Sequence, residues 1–94
     1  MVTLKRSRIL KPRELPHVLK LLEVDEGIRV EGPDAGLRMF VSKSHSGLFA
    51  IELVDRLARN GVSDGSNIQY VNSVNDVLLH IRSNFRKEPS YYVY

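Results

Sequence analysis

One hairpin signal constrains this chain more than any other feature. Ile28 and Val30 alternate with Arg29 and Glu31, and Leu37, Met39 and Val41 alternate with Arg38, Phe40 and Ser42. Between the two runs lies Gly32-Pro33-Asp34-Ala35-Gly36, dense in turn formers. Period-two alternation on both sides of a short turn predicts an antiparallel pair. A lone hairpin is marginal in water, so the rest of the chain must add strands or lay helices on one face. At 94 residues the chain has the length of one compact domain, spanning 1–94.

The flanking segments supply such elements. Met1 to Leu10 reads as a strand, broken at Lys11-Pro12, where the residue before proline avoids helix. Leu15, Val18, Leu19 and Leu22 recur at helical spacing and predict a helix ending near Val24. Phe49, Ala50, Leu53, Val54, Leu57 and Ala58 also fit one helical face, with Asn60-Gly61 as its stop. Asn67 to Val71 reads as a short strand. Ser73 then caps a helix whose stripe is Val74, Val77, Leu78, Ile81 and Phe85. Residues 90–94 read as an edge strand or a tail. The expected fold class is therefore α+β. The order is β-α-β-β-α-β, as in ferredoxin-like domains, followed by an extra helix and a short C-terminal strand.

Charge is unevenly placed. The net +3 conceals +5 over residues 1–13 and −4 over residues 14–35. Lys5, Arg6, Arg8, Lys11 and Arg13 make a basic arm, and Arg29 and Arg38 of the hairpin can extend it toward DNA or RNA phosphates. Only Phe40 is aromatic on the strand where an RNA-recognition domain stacks bases, and the Arg/Lys-Gly-aromatic run is missing. A helix-turn-helix over Leu53 to Val71 conflicts with Gly65 and the alternating Ile68-Gln69-Tyr70-Val71.

Lys43-Ser44-His45-Ser46-Gly47 joins the hairpin to the expected second helix. It is a candidate anion site, because helix N-termini present free amides and a positive dipole. A serine that merely caps the helix explains the same residues. Tyr91, Tyr92 and Tyr94 form a candidate interface, since tyrosine is enriched where proteins meet.

No residue set points to catalysis, a metal or a cofactor. The absence of cysteine excludes thiolate chemistry and disulfides. His17, His45 and His80 have no metal-ligand spacing, and no G-x-S-x-G elbow occurs. No stretch approaches the about 20 apolar residues of a membrane span, and no signal peptide is evident. A soluble cytoplasmic protein is expected. Two functions follow. One is a small nucleic-acid-binding regulator or accessory factor that uses the basic N-terminal strand. The other is a protein-interaction or homodimerising module that uses a sheet edge and the tyrosine-rich C-terminus.

Overall fold

A computed structural model of the protein describes residues 8–33, 36–55 and 68–94. Its elements are β1 (Arg8–Leu10), α1 (Leu15–Leu21), β2 (Gly27–Glu31), β3 (Leu37–Lys43), β4 (Phe49–Asp55), β5 (Ile68–Val71), α2 (Val74–Asn84) and β6 (Ser90–Val93). Among the described residues the strands form one antiparallel sheet in the order β1-β6-β2-β3-β4-β5. The α+β class stands. The ferredoxin-like order does not, because the sheet has six strands and the expected second helix is a strand.

The hairpin is as the alternation predicts. Ile28 pairs with Val41 and Val30 with Met39, and all four are fully buried. The α1 stripe is also as expected, with Leu15, Leu19 and Leu22 in the core and Val18 against it. Ser73 caps α2 by accepting from the Asp76 amide at 3.1 Å. Val77 and Ile81 carry that helix onto the sheet.

Two expectations fail. Residues 49–55, expected to be helical, form β4, while residues 56–60 lie outside the described residues. Phe49 and Ile51 are buried and Leu53 packs against the core, so the governing period is two. Ala50 and Val54 on the opposite side are themselves apolar, which filled in a false helical face. The described ends of the helix-turn-helix reading, up to Asp55 and from Ile68, are strands, and its residues 56–67 lie outside the described residues.

The C-terminal segment forms the expected short strand, β6, and among the described residues it lies inside the sheet rather than at its edge. β6 pairs with β1 through Ile9↔Tyr92 and with β2 through Arg29↔Tyr92. It fills the gap that the β1–α1–β2 crossover leaves, so β6 is an interior strand next to β1. Tyr91 is buried there. Its hydroxyl pKa is raised, first by that burial and then by Glu88, with Arg82 opposing.

The helices cover one face of the sheet, the side of Leu10, Tyr91, Val30, Met39, Val41 and Ile51. No described helix is long and apolar enough to cross a membrane.

Candidate interaction surface

Strand alternation sends the remaining side chains to the other face, and the register arranges them in rows. The central row crosses all six strands: Ile9, Tyr92, Arg29, Phe40, Glu52 and Ile68. On one side of it runs Ser90, Glu31, Arg38 and Val54. On the other, Gly27, Ser42, Ala50 and Tyr70 pair across β2 to β5, and Tyr94 joins through mutual backbone hydrogen bonds with Gly27.

The charges on this face balance. Glu31 Oε1 lies 2.9 Å from Arg29 Nε and 3.0 Å from an Arg38 Nη. One carboxylate oxygen thus serves two guanidiniums. Both Nε atoms are shielded from solvent and lack an aligned hydrogen-bond acceptor among the described residues. The close Arg29–Glu31 approach is therefore an ion pair by distance rather than a well-formed hydrogen bond. The Arg29 guanidinium also stands 4.7 Å from the centre of the Tyr92 ring, a favourable cation–π distance. Glu52, two strands and about 9.5 Å from Arg29, has no cation beside it among the described residues.

The third row is low, because its middle positions are Gly27, Ser42 and Ala50. The Tyr94 ring lies directly over Gly27 and meets Phe40 edge to face at 6.4 Å. Its hydroxyl pKa is raised, chiefly by burial and then by the Glu52 charge. A hollow of about 380 Å³ opens between Phe40, Tyr94 and Ile68, floored by Ser42 and Ala50, with Arg29 and Glu52 at its ends. Ile68 and Tyr70 stand exposed on the β5 side of it, and Ile9 is exposed on the opposite outer strand, β1. A second depression of about 550 Å³ lies between Gly32 and the C-terminal end of α2, and it borders the residues outside the description.

The structure separates the residues singled out for nucleic acid. Arg29 and Arg38 lie on the open face. Arg8 has the parity of Leu10 and lies toward the helix side. Lys11 and Arg13 are exposed in the turn before α1, and Lys5 and Arg6 lie outside the described residues. Lys43 also faces away from the open face, its Nζ 4.4 Å above the Phe49 ring.

The 43–47 segment is a strand-to-strand loop. Ser44 donates to the Leu48 carbonyl at 2.8 Å and shares a 2.9 Å hydrogen bond with Ser46, and Gly47 supplies the positive φ of 85°. The helix N-terminus that made this loop an anion candidate is a strand start. His45 is exposed, with Nε2 3.8 Å from Asp25. The three tyrosines of the tail divide, Tyr91 into the core and Tyr92 and Tyr94 onto the open face.

Sequence reasoning missed Glu52, Ile68 and Tyr70 as surface partners. Glu52 between Ile51 and Leu53 was a faint period-two signal, which the apolar Ala50 and Val54 masked. Nothing in the sequence alone aligned Tyr92 with Arg29. No family model matches this chain, and neither a curated protein nor a solved structure matches it.

Proposed function

We propose that the protein is an interaction module whose working surface is the face of its sheet that no described helix covers, and that its partner is a protein. The central row carries this reading: aromatic, aliphatic and charged residues alternate across six strands, with two arginines balanced by two glutamates on the face as a whole. Protein interfaces favour Tyr, Phe and Arg in a charge-balanced centre. A polyanion needs an excess of cations, and the described residues of this face carry none. The other reading, single-stranded nucleic acid, rests on Arg29 and Arg38 beside Phe40 and Tyr92, since arginine and aromatic side chains together hold bases without sequence preference. Glu31 and Glu52 weigh against it.

The experiment is photo-cross-linking in cells with a benzophenone amino acid placed at Phe40, compared with the same group at Leu79 on the exposed side of α2. The expected result is discrete protein adducts from position 40 and none from position 79. Adducts to nucleic acid, or none from position 40, overturn the reading.

A further inference from the structure

The charge pattern of the open face also bears on which protein that partner is. Resting on the interaction reading above, the geometry points to a second copy of this chain, docked face to face about a two-fold axis that runs along β3 at Phe40. Such an axis keeps each row over itself and reverses the strand order. β2 of one copy then lies over β4 of the other, and β6 lies over β5. In the register of this sheet, Arg29 comes to face Glu52 of the second copy and Glu52 faces its Arg29, while Phe40 meets its own copy on the axis. Tyr92 faces Ile68, and Tyr94 faces Tyr70.

The other in-plane two-fold, running across the strands, sets Arg29 against Arg29 and Glu52 against Glu52. Like charges placed together in this way are strongly unfavourable in a desolvated interface. The axis along β3 also sets Arg38 against its own copy, but each Arg38 is held by its Glu31, whereas the Glu52 pair made by the other axis has no described cation beside it; that carboxylate therefore selects the axis along β3. Each copy also lacks what the other carries. Glu52 has no cation beside it among the described residues, and Arg29 shares a single carboxylate oxygen with Arg38 although a guanidinium has five donors to satisfy. Packed sheets stand about 10 Å apart, a gap that an arginine and a glutamate span together. The hollow beside Glu52 receives the incoming guanidinium. Arg38 also meets its own copy, each guanidinium held by its own Glu31.

Sedimentation equilibrium of the full chain at tens of micromolar tests this. Wild type is expected to be a dimer. R29E and E52R each set like charges against one another at both contacts, and each is expected to weaken dimerisation at least about tenfold, roughly 1.4 kcal/mol. An equal mixture of the two variants is expected to dimerise again, because both contacts across the mixed pair join opposite charges. The chain is otherwise free of cysteine, so Phe40→Cys with a short bismaleimide gives a second measurement, independent of how the charge variants fold. It is expected to yield covalent dimer efficiently, and Leu79→Cys is not. A monomeric wild type, a mixture that stays monomeric when both variants are folded, or no preference for position 40 in cross-linking each overturns the inference. If wild type is monomeric yet position 40 captures a different protein in cells, this inference falls and the interaction reading stands. If position 40 captures nothing, both fall.

Discussion

Replacing Gly27 with alanine sets two effects of opposite sign against each other. Gly27 lies in β2 with ordinary extended backbone, and Gly47 is the described glycine with positive φ. Backbone entropy alone therefore favours alanine, by about 0.4–1 kcal/mol, because the unfolded chain loses freedom. Packing opposes the change. A Cβ here would overlap the Cζ and Oη of Tyr94 and approach the Val41 carbonyl oxygen to 2.7 Å. The ring can swing away, but the carbonyl belongs to the neighbouring strand. Overpacking of this kind costs about 1–3 kcal/mol, so packing wins and the expected net loss is about 1–2 kcal/mol. For a domain of this size Tm should fall by roughly 5–15 °C. Urea unfolding followed by far-UV circular dichroism measures the free energy directly. Adding Tyr94→Ala removes the ring but not the carbonyl, so Gly27→Ala should still cost stability in that background, by a smaller amount. A Gly27→Ala protein as stable as wild type, or more stable, refutes the close-approach reasoning.

Deletion of residues 90–94 should abolish cooperative unfolding in a calorimetric or urea melt, because β6 lies between β1 and β2 and carries buried Tyr91. A truncated chain that melts like wild type contradicts that placement. Spectrophotometric titration near 295 nm should show two tyrosines ionising above the ordinary value of 10.0, Tyr91 and Tyr94, both held up first by burial. A pKa raised in the folded state leaves stability complete below the unfolded value and removes it as pH climbs through the folded one. Stability should therefore be flat with respect to these groups below about pH 10 and decline above it. Glu52→Gln should bring the Tyr94 transition down without moving that of Tyr91.

Local chemistry alone determined several parts of this protein. The β2–β3 hairpin followed from alternation on both sides of Gly32–Gly36, α1 from a stripe of three leucines and a valine, and the start of α2 from Ser73. Each is a short-range pattern in which the buried and exposed sides differ in polarity, so the period can be read directly. β4 could not be read that way. Ala50 and Val54 face the open side of the sheet, and their apolar character erased the contrast that marks a strand. On the proposed interaction reading the misreading has a simple cause, because a face that meets a partner is not patterned like a face that meets water. The sequence also supplied Arg29, Arg38, Phe40 and the tail tyrosines as residues of interest, but not their grouping. Only the tertiary structure decided that Tyr92 stands beside Arg29, that Tyr94 covers Gly27 and that Arg8 and Lys43 turn away. All of these but the orientation of Lys43 depend on β6 entering between β1 and β2, and β6 pairs with β2 across about sixty residues of chain. Long-range strand register is set by which arrangement buries Tyr91 and closes the sheet, and no local window of residues contains that information.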